Sequence, residues 1–152
     1  PSVLNFIDVD KAFDLHIAGR LDADTTGLVL ITDDGRWSHN IISPKKQCEK
    51  VYRVWLRDAL NPDTAQKFVE GVQLQGEKQL TLPAKLHVVD TKEVLLTITE
   101  GKYHQVKRMF AAVGNKVVGL HREQIGNVKL DKEISLGQWR YLTDDEVRFF
   151  LS

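Results

Sequence analysis

Cysteine is almost absent from this chain. Among 152 residues only Cys48 occurs, which excludes a disulfide framework and points to a reducing compartment. Long apolar runs are missing too. None approaches the ~20 residues of a membrane-spanning helix, and no secretory h-region is present, so the cytoplasm is the expected location. Net charge is nil, with 21 Lys and Arg against 21 Asp and Glu, which on its face argues against a polyanionic partner. No internal repeat, low-complexity tract or Pro/Gly/Ser-rich linker divides the chain, and a single domain with a real core is expected. An initiating methionine is lacking as well: the chain opens on Pro1, which suggests a processed product or a piece of something longer.

Signatures of several chemistries are also missing. His16, His39, His87, His104 and His121 are scattered, without metal-ligand spacing. There is no Walker-type loop or dinucleotide fingerprint, and no nucleophile elbow to support serine catalysis. Neither a metal nor a cofactor is expected.

What is present is an uneven distribution of charge. Five Lys or Arg and one acid, Glu49, fall within 45–57, and seven fall within 102–132 against Glu123 and Asp131. Acids gather elsewhere, notably at Asp8, Asp10, Asp14, Asp22, Asp24, Asp33 and Asp34. If folding joins the two basic segments, a positive face results on a neutral protein, and a polyanion responds to the local field. Two separate solvated surfaces are the plainer alternative.

Helix and strand signals alternate irregularly. Leu28-Val29-Leu30-Ile31 reads as a buried strand. Residues 50–57 alternate as a strand does, with Tyr52, Val54 and Leu56 on one face and Val51, Arg53 and Trp55 on the other. Asn61 and Pro62 look like the N-cap and first position of a helix ending near Gly71. Residues 86–90 and 94–99 read as an antiparallel pair. From 103 to 113 the period becomes helical, with Tyr103, Val106, Phe110 and Val113 on one face and Gly114-Asn115 as the stop. Residues 116–120 and 125–130 return to strand character, and Thr143 to Glu146 spell a capping box before a last short helix. The expected fold class is α+β, a mixed and largely antiparallel sheet flanked by short helices, not a regular βαβ array.

Three places could carry chemistry. Asp22, in the turn-rich stretch Gly19-Arg20-Leu21-Asp22-Ala23-Asp24-Thr25-Thr26-Gly27, is a candidate nucleophile; the bland reading is a turn before a strand. Burial raises a carboxyl pKa and a nearby cation lowers it, so a functional Asp22 needs a cation from elsewhere in the chain. His104, Lys107 and Arg108 share one helical face at spacings of three and four. They could supply that cation, form a phosphate-binding surface, or be merely solvated. Tyr52, among Lys50 and Arg53, could stack on a nucleobase while the cations meet phosphates, or be an ordinary core tyrosine.

Taken together, the segments resemble a known family. Gly19-Arg20-Leu21-Asp22 with Thr25-Thr26-Gly27-Leu28, then Glu49-Lys50-Val51-Tyr52, then residues 100–110 occur in the order seen in RNA pseudouridine synthases, in the branch named for the small-subunit enzyme A. The likeness covers nearly the whole chain, including Ser38-His39 and Leu120-His121-Arg122. It implies a pseudouridine synthase catalytic domain over 1–152, isomerising a specific uridine of small-subunit ribosomal RNA without cofactor or metal. It implies that Asp22 is the essential carboxylate, that Tyr52 packs on the target base and handles the proton at C5, and that Lys107 pairs with Asp22. Many relatives carry Arg at that place; Lys keeps the charge but gives up a bidentate fork. Arg20, Lys50, His104, Arg108 and Leu120 complete the expected RNA-contacting set. The branch usually has an N-terminal S4-type domain and an opening Lys-Pro-x-Gly strand. Neither precedes Asp22, so the chain reads as a catalytic domain lacking its front end, a monomer by default.

Two rivals remain on the page. One is a non-catalytic RNA-binding module that uses the same basic face. The other is a magnesium-dependent phosphatase, because Asp22-Ala23-Asp24-Thr25-Thr26 resembles the Asp-x-Asp-x-Thr pattern of haloacid-dehalogenase-like enzymes. In those enzymes the motif ends an apolar strand; here it follows His16-Ile17-Ala18-Gly19-Arg20-Leu21, and Asp33-Asp34 comes too soon to be their distal acidic motif.

Overall fold

The computed structural model describes residues 15–151; Asp8, Asp10 and Asp14 lie outside the described residues. The elements, in chain order, are β1 (His16–Ala18), β2 (Thr26–Gly27), β3 (Leu30–Thr32), α1 (Gly35–Ile42), a 3-10 turn (Pro44–Lys46), β4 (Lys50–Leu56), α2 (Thr64–Glu70), β5 (Lys85–Asp90), β6 (Glu93–Ile98), α3 (Gln105–Ala112), β7 (Val117–Ile125), β8 (Val128–Lys129) and α4 (Asp144–Phe149). Six strands form one sheet in the order β2-β7-β4-β6-β5, with β8 also on β7, while β1 and β3 pair apart from it. Within the large sheet the β2–β7 pair is parallel, and the other pairings are antiparallel. The α+β class, with its largely antiparallel sheet and short helices, is what the irregular alternation of signals foretold.

Strand β4 shows how the pattern makes the sheet. Its period of two sends Val54 and Leu56 into the core, at 0% and 3% exposure, while Trp55 faces out. On the outer side Arg53 is gripped by Glu93 and Glu123 from the two flanking strands. The inner face packs against α2 and α3 through Phe68, Val106, Met109 and Phe110, with Phe68 and Phe110 meeting edge to face at 5.1 Å. A second cluster joins Ala18, Leu28, Leu30, Trp37, Ile41, Ile125, Val128 and Phe150. Helix α4 opens on the expected capping box at Thr143 and Glu146, and it is tied into the cluster by Trp37 Nε1, which donates to the Val147 carbonyl at 3.1 Å.

Several expected elements differ in detail. The run 28–31 is not one strand: Thr26 and Gly27 add to β7, and Leu30 to Thr32 cross to pair with β1. Gly27 makes the crossing possible. It sits at φ +122, and a Cβ there would lie 2.2 Å from the Arg122 carbonyl oxygen, so only a residue without one allows the approach. Residues 116–120 and 125–130 are instead the long β7 and the short β8. The polar stretch between them stays in the strand because three of its polar side chains find distant partners: His121 with Thr26, Arg122 with Leu28 and Gly19, Glu123 with Arg53. Asn61 caps a turn rather than the helix. Its carbonyl accepts from Thr64 N, its side chain from Asp63 N, and α2 begins at Thr64. Gly114, at φ +81, ends α3 as expected, with Asn115 N returning to the Phe110 carbonyl.

Candidate active site

One wall of the cleft is the loop between β1 and β2. It leaves Ala18, carries Arg20 and Asp22, and tightens into a turn where Thr25 N donates to the Asp22 carbonyl at 3.0 Å. Arg122, 2% exposed on β7, holds both ends of this loop. Its Nη2 donates to the Gly19 carbonyl at 2.8 Å and its Nε to the Leu28 carbonyl at 2.9 Å. The position of Asp22 is thus set from the central sheet.

The opposite wall is the link from β6 to α3. Buried Glu100 accepts from Leu82 N at 2.6 Å and from Gln105 Nε2 at 3.0 Å. Gln105 in turn accepts from Lys102 N at 3.0 Å. His104 sits at φ +48, ψ +39, a left-handed conformation that costs a non-glycine residue about 1–2 kcal/mol. Arg108 clamps that turn, donating to the Tyr103 carbonyl at 2.8 Å and to the Gln75 carbonyl at 2.5 Å.

Between the walls lies a cleft of about 170 Å³, whose lining includes Tyr52, Ile98, Val106 and Leu120. Several water volumes fit there, at ~30 Å³ each, or one small flat ring. Asp22 is at its edge, 35% exposed, with His104 Nε2 at 3.7 Å and Lys107 Nζ at 4.0 Å. Lys107 is shared: its ammonium donates to Asp24 Oδ1 at 2.6 Å, and this hydrogen bond holds the Asp24 carboxyl below the usual range. Thr25 Oγ1 is buried without a hydrogen-bond partner among the described residues. A carboxylate beside a lysine and a histidine, over an aromatic and aliphatic surface, can act as nucleophile or base on a group attached to a planar ring. A second cavity of about 400 Å³ is lined by Gln47, Glu49, Leu82, Pro83, Lys85 and Thr99. It has no aromatic ring, and its one cation is paired with Glu49, so it offers no comparable chemistry.

Of the residues singled out from the sequence, Arg20, Asp22, Tyr52, His104, Lys107 and Leu120 all line the cleft. Lys50 and Arg108 do not. Lys50 lies two residues before Tyr52 on the same inward face and is 6% exposed, paired in register with Ile98 and Ile125. Burial pushes its ammonium below the usual lysine pKa, and neighbouring Arg122 adds to the effect. It is therefore an interior cation and not a surface contact. Arg108 is occupied in holding the Tyr103 turn. The two basic segments do meet, because β4 and β7 are sheet neighbours, and part of their charge is neutralised or buried there. Arg53, Arg57, Lys102 and Lys107 are each paired to a carboxylate, and Arg122 is buried. Sequence reasoning missed Arg122, Glu100 and Gln105 as organisers of the walls, and Asp24 as a competitor for Lys107. Asp24 left a signal in its place two residues from Asp22, and Glu100, Gln105 and Arg122 lay within the segments that carried the family resemblance. Among the described residues no group of three or more His, Cys, Asp or Glu side chains is arranged to hold a metal ion, and no helix is long and apolar enough to cross a membrane.

Comparison with known proteins bears directly on this cleft. Residues 3–112 match the family model described as RNA pseudouridylate synthase. The chain is 61% identical over 146 residues to ribosomal small subunit pseudouridine synthase A of Vibrio cholerae, covering 96% of this chain and 63% of that protein. It is 63% identical over 143 residues to the protein of the same name from Vibrio vulnificus, covering 93% and 61%. A solved structure described as a crystal structure of pseudouridylate synthase superposes with a TM-score of 0.96 at 55% identity, over 99% of this chain and 65% of the other. The chain thus spans somewhat less than two thirds of the length of these relatives.

Proposed function

This chain belongs to the RNA pseudouridylate synthase family, and on that premise we propose that it converts a uridine of small-subunit ribosomal RNA to pseudouridine, with Asp22 as the reacting carboxylate. The observation that carries the reading is the Asp22 carboxylate at the edge of a ring-sized cleft with Tyr52 in its lining, with Lys107 and His104 within 4.0 Å. Isomerisation breaks the N1–C1′ bond and joins C1′ to C5. C5 gives up its proton and N1 gains one, so atoms balance without oxidant, nucleotide or metal. Asp22 acts on the sugar, as nucleophile at C1′ or as base at C2′, and either route needs it ionised. Lys107 is its basic partner across the cleft, at 4.0 Å. Tyr52 and Leu120 hold the uracil ring while it turns, with Tyr52 placed to handle the C5 proton. The uridine first leaves its stack, at a cost of a few kcal/mol, offset by burial of the ring against these side chains. Naked ribosomal RNA or an assembly intermediate is the partner, and the protein works in the cytoplasm as a monomer.

Tritium release from small-subunit ribosomal RNA labelled at uridine C5 tests this. Wild type is expected to release tritium, and Asp22→Ala to lose about 10⁴-fold or more of the rate while still binding RNA. Equal release by both removes Asp22 from the mechanism. RNA binding with no release from either favours the binding module, and magnesium-stimulated release of phosphate favours the phosphatase.

A further inference from the structure

The helical period of 103–113 assigns Tyr103 to the buried stripe of α3, yet the helix begins only at Gln105 and the Tyr103 side chain is 75% exposed. Among the described residues, Tyr103 is the one large apolar side chain exposed to solvent that also lines the cleft. Its ring lies on that of His104, centroids 3.8 Å apart and planes 22° from parallel. His104 in turn reaches Asp22. The left-handed backbone at His104 produces this posture, and Arg108 fixes it through the Tyr103 carbonyl. A rigid ring is therefore held at the mouth of the site with one face on His104 and most of its surface in water.

We propose that Tyr103 is a stacking platform for the nucleobase next to the target uridine in the RNA strand. The inference rests on the RNA-modifying reading above and adds a subsite to it. When the target ring leaves its stack and enters the cleft, its neighbour loses a stacking partner. The Tyr103 ring replaces that partner, forming a stack of base, Tyr103 and His104 that ends beside Asp22. Such a platform accepts any base, because every base has a π-face. Arg20, exposed on the opposite wall and without an ion pair among the described residues, is available to the adjoining phosphate.

The test compares binding of short oligouridylate with binding of an abasic ribose-phosphate oligomer of equal length. A second oligouridylate carries 2-aminopurine beside a central uridine as a fluorescent reporter. Wild type is expected to prefer the base-bearing oligomer and to quench the reporter. Tyr103→Ala loses about tenfold in affinity for oligouridylate, keeps its affinity for the abasic oligomer, and no longer quenches; Tyr103→Phe behaves as wild type. Because the side chain is exposed, Tyr103→Ala is expected to melt with wild type. Equal oligouridylate affinity and equal quenching in wild type and Tyr103→Ala overturn the platform, as does a wild type indifferent to the bases. Tritium release from ribosomal RNA separates the two claims. Release by a wild type that shows no Tyr103-dependent stacking defeats the platform alone. Stacking without release defeats the isomerase reading and leaves the platform standing.

Discussion

The two walls of the cleft are built on different plans. The Asp22 wall is a loop between short strands, and one buried side chain, Arg122, reaches from the central sheet to carbonyls on either side of it, with the exposed Thr26–His121 and Asp24–Lys107 contacts as lesser ties. The Lys107 wall is a mesh in which Glu100, Gln105 and Arg108 share the work through several hydrogen bonds to one another and to the backbone. A wall that depends on one buried side chain on both sides loses both ties when that side chain goes. A mesh loses its members one at a time.

Arg122→Met is the most severe way to challenge this contrast. It leaves the Gly19 and Leu28 carbonyls without their donor, and each buried orphan costs about 1–3 kcal/mol. A loss of about 3 kcal/mol in urea unfolding is expected, together with a large fall in tritium release because Asp22 lies three residues from Gly19. Glu100→Gln tests the mesh. The amide still accepts from Leu82 N, and the change is from a charged to a neutral hydrogen bond, about 1 kcal/mol, with release reduced only a few-fold. Equal losses from the two substitutions would mean that the walls are not built differently.

Acid gives the smallest and most selective probe. Arg140 and the cap at Thr143 pull the Glu146 carboxyl from 4.5 down to about 2. A carboxylate whose pKa is depressed on folding contributes stability that is complete above the unfolded pKa and lost as pH falls through the folded one. The window is therefore pH 4.5 to about 2. The pair lies near the surface, so the effect is under about 1 kcal/mol. Helix α4 packs on the cluster that includes Ala18 and Leu28, so amide exchange should quicken around β2 and β3 before it does in α3. Arg140→Ala should flatten this acid dependence, and simultaneous loosening of both walls would contradict it.

Much of the scaffold was legible because it follows local periods. The alternation of β4, the Val106 and Phe110 stripe of α3 and the capping box of α4 each repeat at a spacing that one stretch of chain displays by itself. Asp22 and Tyr52 stood out by the order of their motifs, and both line the cleft. The rest was set by tertiary partners. Lys50 reads as a surface cation from its type, and only the strand pairing turns it inward. Arg122 sits in a polar run that looks like a loop until its acceptors, 94 and 103 residues away, are known. Tyr103 obeys the helical spacing, but the left-handed turn at His104 breaks the period one residue later.

The parallel pairing of Thr26 with His121 joins residues 95 positions apart. Contacts of such long sequence separation form late, because the intervening chain must be ordered before they bring any gain. The loop that bears Asp22 is among the first parts of the described chain to leave the ribosome, yet it has no strand to lie against until His121 and Arg122 follow it out. A nascent chain shorter than that can carry Asp22 without having a cleft around it. Assembly of the cleft then marks the completion of folding.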